Sequence, residues 1–465
     1  MAALVFEEFL STPEMLDTFG AAAFVQAMLD VEAALARAQA AHGLMPAAAG
    51  EAIAAACDVL RIDVAAVVAA SGRAGSLAIP LVKHLTEAVA RDDVDAARHV
   101  HVGSTSQDVI DTAMVLVTRR ALALIDRDLA ALIEALLALV RRHGDAPMLG
   151  RTLLQPAQVV SFGFAALAWI APLVRCRERL RVAAGNALQL QLGGAVGTLA
   201  VMGERGTDVA RHMAEALRLR LPVGAWQTQR DEWVALGCEV GVLCGAVGKL
   251  AKDVSLLAQA EIGEVAEPSG AGRGGSSAMP HKRNPVSSMV ALAAALRAPQ
   301  RVAALLAAMP QEHQRGLGNW QAELAEWAGL FISAHGAVAA MRDACAGLHV
   351  DAPRMRRNID ALQGLTYGES AAAVVAKIIG KAAAHALFER LSQRTVAENA
   401  DLRDIALAAV DADDALRRRV EMEALAACFD ADTAALPARR TAAAQLAFWA
   451  GRAAALAPFD PQQPC

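Results

Sequence analysis

The sequence predicts an all-α fold, and three observations carry that prediction. Alanine occupies 110 of the 465 positions, aromatic residues make up only 4%, and the longest apolar pattern repeats with a helical period. Alanine is the best helix former because it loses no side-chain entropy on folding. Strands favour aromatic and β-branched residues, so a sandwich or barrel is disfavoured. A chain that is 55% hydrophobic and 20% charged also lies outside the disordered class.

The clearest element is Leu236, Val240, Leu243, Val247, Leu250, Val254 and Leu257. These positions alternate in steps of four and three, a heptad seam sustained over three repeats. The pattern predicts a helix from near Thr228 to near Gly263, roughly 50 Å long at 1.5 Å per residue. Four further long helices are expected: Asp111 to His143, about Ala157 to Gln189, about Ser287 to Met309, and about Gln321 to Leu348. Gly144, Gly193-Gly194 and Pro310 supply stops. Together they predict three helical domains: residues 1–110, a central long-helix bundle over 111–350, and 351–465.

Composition also restricts function. A formal net charge of −5 gives no global field for nucleic acid. An anionic ligand would need a local positive cluster. The seven cysteines are odd in number and scattered, without a CxxC, as expected of free thiols in a reducing cytoplasm. The amino terminus carries early acids and no basic region, unlike a signal peptide. Charges are expected to break every apolar run short of a membrane span.

The most unusual stretch runs from Glu267 to Pro285, with four glycines and several polar groups between two long apolar helices. Such loops are commonly functional. Gly270, Gly272 and Gly275 match GxGxxG, but the strand and helix of a dinucleotide site are missing. A linker would explain the glycines but has no use for Ser276, Ser277, His281, Lys282 and Asn284. These groups suit carbanion chemistry. A serine stabilised as alkoxide by backbone N–H groups and a cation can move a proton, while lysine and asparagine hold a carboxylate.

The string Gly275-Ser-Ser-Ala-Met-Pro-His-Lys-Arg-Asn-Pro285 resembles the signature of the fumarase/aspartase superfamily. The form is that shared by adenylosuccinate lyases and 3-carboxy-cis,cis-muconate cycloisomerases. Two further stretches resemble the other family regions in order and spacing: His101-Val-Gly-Ser-Thr-Ser-Gln-Asp-Val-Ile-Asp-Thr112 and Gly150-Arg-Thr-Leu-Leu-Gln-Pro-Ala157. Shorter likenesses lie at Ser76–Lys83, Gly194–Thr198, Gln229–Asp231 and Gly318–Glu323. The resemblance implies a homotetramer on a twenty-helix core, five long helices per chain, with active sites shared between three subunits. It implies no cofactor. Ser276 would transfer the proton, and Lys282 and Asn284 would hold substrate carboxylates. Thr105, Ser106, Thr152 and Gln155 would bind substrate from the other two regions, with Ser277 and Met279 beside the serine.

Two departures select within the family. Where fumarases and adenylosuccinate lyases carry a histidine in the second region, this chain has Leu153. Where they carry that histidine's glutamate partner, it has Met289. An adenylosuccinate lyase needs the acid to protonate a poor nitrogen leaving group. A cycloisomerase, whose attacking group is the substrate's own carboxylate, does not. The resemblance therefore implies a cycloisomerase acting on a small tricarboxylate, with another superfamily lyase or an inactive helical scaffold as alternatives. Three carboxylates call for converging cations, and His101, Arg151, Lys282 and Arg315 are the candidates. Arg151 and Arg315 each have a second reading as half of an intra-subunit ion pair. His101 has a second reading as a structural histidine, and the role of His281 is open. His99 and His101 form an HxH pair with no third ligand at useful spacing, so no metal site is expected.

Overall fold

The computed structural model describes residues 5–270, 274–275, 279 and 282–461. The expected all-α class holds, and five long helices dominate. They are α2 (Ser106–His143), α3 (Phe162–Ala187), α4 (Asp231–Leu257), α5 (Val286–Ala308) and α6 (Asn319–Ala346), preceded by α1 (Ala21–Ala41). α2 starts on a capping box formed by Thr105 and Asp108, and its last turn carries Arg141, Arg142 and His143. Both ends thus complement the helix dipole.

Every seam residue of α4 from Leu236 to Val254 is fully buried, as the heptad spacing requires. α4 is shorter than expected, however, because Arg230 and Ala258 close it. Small residues set how closely α5 approaches. A Cβ on Gly241 would sit 2.6 Å from Val302, and one on Gly248 would sit 2.5 Å from Ala295. Trp233 of α4 stacks on Trp327 of α6 with centroids 3.9 Å apart, locking the third side of the bundle.

The third expected helix begins late. Residues 147–161 form a β-hairpin, β1 (Pro147–Thr152) and β2 (Gln155–Ser161), paired Thr152 to Gln155 and Arg151 to Pro156. Val159 and Val160 favour the extended conformation, and the Ser161 hydroxyl accepts from the Phe164 N–H to start α3 only afterwards. A second two-stranded pairing joins β3 (Val265–Ala266) to β4 (His349–Val350). Beyond it, α7 (Ala352–Asp360) and α8 (Ala431–Ala454) flank the shorter carboxy-terminal helices, whose core includes Val375, Phe388, Leu402 and Val410.

One sequence expectation fails. Four helical segments, Pro13–Ala41, Asp231–Leu257, Val286–Ala308 and Asn319–Ala346, are long and apolar enough by composition to cross a membrane. The charges expected to interrupt them lie near their ends or are too few to a window. In three of the four, half or more of the apolar window is buried within the chain, whereas Val286–Ala308 is mostly uncovered.

Candidate active site

The amino end of α2 gathers the first set of site residues. Arg315, in the connection before α6, donates from Nη1 to the Thr105 hydroxyl (2.8 Å), from Nη2 to the Ser106 hydroxyl (3.3 Å) and from Nε to the Gln107 side-chain oxygen (3.3 Å). No carboxylate pairs with Arg315 among the described residues. A guanidinium with no carboxylate paired to it therefore converges with two hydroxyls at the amino end of a 38-residue helix, among the described residues. That is the composition of an anion site.

A buried network fixes this cluster from behind. The Gln107 amide donates to Asp111 (3.2 Å) and to the Gln227 carbonyl (2.9 Å), which turns its oxygen toward Arg315. Asp111 is held by Arg230 at 2.9 and 3.2 Å and by the Trp320 indole N–H at 2.9 Å. Arg230 also forks onto Glu323. Arg230, Asp111 and Glu323 are all essentially inaccessible. With two acids to one base, burial pushes the Glu323 carboxyl up even though Arg230 opposes it. Three of the short likenesses noted in the sequence meet here: Gln229–Asp231 brings Arg230, Gly318–Glu323 brings Trp320 and Glu323, and Gly194–Thr198 docks on Asp108.

No arginine or lysine pairs with Asp108 among the described residues, and N–H groups satisfy it instead. It accepts from the backbones of Thr105 (3.1 Å), Gly193 (3.1 Å) and Gly194 (2.8 Å) and from the amides of Gln191 and Gln227. Burial raises its carboxyl to about 6, while those hydrogen bonds hold it from rising further. His101 lies just upstream with φ +62°, and its Nδ1 is 2.6 Å from a carboxylate oxygen of Glu32 on α1.

The second region is built differently. The structure changes the reading of Arg151: its guanidinium forms a two-pronged pair with the fully buried Glu264, at 2.9 and 2.7 Å, and Asn358 also donates to Glu264. Glu264 takes both Nη1 and Nη2, the end-on face of the fork, and leaves only the Nε edge. Arg151 is thus the fastener of the hairpin, the ion-pair alternative of the sequence reading. Beyond it Thr152, Leu153, Leu154 and Gln155 are exposed, Leu153 at 97% and Leu154 at 76%. Both leucines have positive φ, 51° and 66°. A two-residue hairpin turn of this kind ordinarily takes Asn-Gly, and leucine there is strained by about 1–3 kcal/mol per residue.

The glycine-rich loop is the third region. Ser276, Ser277 and His281 lie outside the described residues. Glu267 ties the ends of the loop together by accepting from the Ser287 and Ser288 N–H groups (3.0 and 2.8 Å) at the start of α5. The Asn284 N–H donates to the Gly274 carbonyl (2.9 Å), and the Lys282 N–H to the Met279 carbonyl (3.0 Å). Lys282 and Met279 are exposed and Asn284 is half-buried. Among the described residues no ion pair or hydrogen bond joins the Lys282 or Asn284 side chain to the α2 cluster or the hairpin. Met289, in the first turn of α5, is also exposed. Within one chain, then, His101, Thr105, Ser106 and Arg315 share the α2 end, while Thr152 with Gln155 and Lys282 with Asn284 stand at separate places.

Sequence reasoning passes over Glu32, Gln107, Asp108, Asp111, Arg230, Glu264, Glu267 and Glu323 as parts of the site. Gln107, Asp108 and Asp111 stand inside a recognised motif, so their helical spacing is the available signal. The partners of Glu32, Arg230 and Glu264 are 69 to 119 residues away, and spacing gives no hint of them.

The chain is similar to several known proteins. A family model described as "Lyase" matches residues 8–299. A 3-carboxy-cis,cis-muconate cycloisomerase of Bradyrhizobium diazoefficiens is 47% identical, covering 87% of this chain and 89% of its own. A nitrosuccinate lyase of Streptomyces davaonensis is 41% identical over 83% of each chain. The crystal structure of a 3-carboxy-cis,cis-muconate lactonizing enzyme from Pseudomonas putida superposes with a TM-score of 0.90 at 40% identity, covering 96% of this chain and 99% of that one. The chain belongs to the fumarase/aspartase superfamily.

Proposed function

We propose that the protein is a cofactor-independent 3-carboxy-cis,cis-muconate cycloisomerase, forming 4-carboxymuconolactone in protocatechuate catabolism. One substrate carboxylate adds to the conjugated double bond and closes the lactone ring. The electron pair passes to the carbon α to a neighbouring carboxylate, which becomes an aci-carboxylate stabilised by cations and N–H donors. A proton delivered to that carbon completes the reaction. Ser276 is assigned the proton transfer, and Lys282 and Asn284 the developing charge, on their match to the family signature. Thr105, Ser106 and Arg315 bind a second carboxylate, and His101 a third.

The observation that carries this reading is the pair Leu153 and Met289. Both positions are apolar and exposed, so neither supplies the acid that an amine leaving group requires. The substrate's own carboxylate needs no such acid. Nitrite needs none either, so elimination of nitrite from nitrosuccinate is a second reading, favoured by the 41% identical relative.

The working unit in this reading is a homotetramer in which three copies complete each site. Val182, Phe164, Val242, Leu296 and Leu306 leave apolar surface on α3, α4 and α5, and Leu296 is 76% exposed. Patches of this kind on long helices suit burial by further copies. The cytoplasm is the expected location, since the six described cysteines are free thiols.

The test is turnover. Purified protein is incubated separately with 3-carboxy-cis,cis-muconate, nitrosuccinate and adenylosuccinate. Loss of diene absorbance with the first supports the proposal. Nitrite release alone would favour the second reading, and AMP formation would overturn the argument from Leu153.

A further inference from the structure

Glu32 sits in the middle of α1 with 1% of its side chain exposed, and no arginine or lysine pairs with it among the described residues. One carboxylate oxygen meets His101 Nδ1 at 2.6 Å, and the other has no hydrogen-bond partner among the described residues. A buried carboxylate this poorly satisfied is a liability for folding. A methionine would fill the same space without it. The backbone carrying the imidazole is strained as well, since His101 is a non-glycine residue in the left-handed region at φ +62°. The Gln39 amide donates to the Val102 carbonyl (2.7 Å) and pins the adjoining peptide in that conformation. Two separate stresses, one in α1 and one in the backbone before α2, thus hold one imidazole against one acid. Nδ1 is consumed by Glu32. Nε2 makes no hydrogen bond among the described residues, and the ring keeps 20% of its surface open.

We propose that Glu32 is a positioning residue of the active site: it fixes the ring of His101 and keeps it cationic, so that Nε2 offers an N–H to a substrate carboxylate. The inference rests on the reading of His101 as a carboxylate ligand and adds the group that makes it one. The charges bearing on the ring are Glu32 from α1 and Asp108 from α2. Burial works against the cation, but the charge and hydrogen bond of Glu32, with Asp108 behind, outweigh it and raise the proton affinity above that of an ordinary histidine. The positive end of α2 opposes them. A free histidine titrates near ~6.5 and would be mostly neutral in the cell, a poorer ligand for an anion.

The experiment compares the intact enzyme with Glu32→Gln, Glu32→Asp and His101→Gln. The ring resonances of His101, assigned by their loss in His101→Gln, are followed by NMR against pH. In the unaltered protein the midpoint should lie above the ordinary histidine value, and in Glu32→Gln it should fall below the unaltered one. Glu32→Gln should raise KM roughly tenfold to a hundredfold, with a much smaller change in kcat. The alkaline limb of kcat/KM should move to lower pH, and Glu32→Asp, which keeps the charge, should recover part of the loss. An unaltered midpoint and KM in Glu32→Gln would overturn the proposal, leaving Glu32 a packing residue. A native His101 midpoint at or below the ordinary value would overturn it without any variant. If His101→Gln leaves KM unchanged, the reading of His101 itself fails, an outcome separable from the failure of Glu32.

Discussion

At the amino end of α2, Arg315 already rests on Thr105, Ser106 and Gln107, and a buried carboxylate–arginine network backs it. At the tip of the β1–β2 hairpin, Thr152 and Gln155 flank two exposed leucines held in strained backbone, with Arg151 just behind them tied to Glu264. Both stretches carry residues assigned to substrate, yet one is held by partners within the chain and the other projects exposed among the described residues. The difference separates two tasks. A charge anchor must be oriented before substrate arrives, because reorganising it during the reaction would cost rate. A projecting tip needs only rigidity, to which the Arg151–Glu264 pair contributes, and in the proposed tetramer its neighbours would come from another copy.

Breaking the finished region should have the largest effect. Arg230→Ala strands Asp111 and Glu323 in the interior, and removal of one partner from a buried ion pair costs about 3–5 kcal/mol. Denaturant unfolding should register that loss, and a change below about 1 kcal/mol would mean the network is better solvated than its burial implies. Arg315→Ala should leave stability nearly unchanged, since no buried acid depends on it. Its kcat/KM should fall by about 2–5 kcal/mol of transition-state binding, with Arg315→Lys recovering little because lysine has no fork. Steady-state kinetics beside a melting curve would check the split.

A smaller effect comes from Asp108. Its folded proton affinity is raised to about 6 by burial, so between the unfolded value and about 6 the native state binds more protons. Stability from this group is therefore full at low pH and declines as pH rises toward 6, by roughly 2–3 kcal/mol in all. The difference in unfolding free energy between the protein and Asp108→Asn, measured from pH 4 to 7, should show that slope; a slope of the opposite sign would mean Asp108 is ionised throughout.

The smallest effect should come from the tip. Replacing Leu153-Leu154 with Asn-Gly suits the positive φ values and should raise stability by about 1 kcal/mol. Activity should nevertheless fall if, as proposed, the tip presents that apolar surface to a neighbouring copy. A rise in both quantities would mean the leucines have no part in the site.

Much of the scaffold is legible in the amino-acid pattern. Leu236 to Val254 are buried as their spacing requires, since helical periodicity is a local property. The hairpin is not legible in this way, because Ala157 to Ser161 reads equally well as the start of a helix until strand pairing with Pro147–Leu149 decides it. The motif residues Thr105, Ser106 and Arg315 stand out as candidates, but their grouping does not: Arg315 lies 210 residues from Thr105. Arg151 shows the same limit from the other side. Its sequence is equally consistent with a substrate fork and an ion pair, and only the position of Glu264, 113 residues on, chooses.

The central claim, that a finished anchor from one copy meets a projecting tip from another, has a direct measurement. Arg315→Ala and the double variant Thr152→Ala/Gln155→Ala are each prepared and found inactive. They are then unfolded together, refolded as mixed tetramers and assayed on 3-carboxy-cis,cis-muconate. If each site draws its anchor and its tip from different copies, as proposed, activity should return to roughly a quarter of the unaltered level. Mixed tetramers that form and stay inactive would contradict the account, placing anchor and tip in the same chain's site.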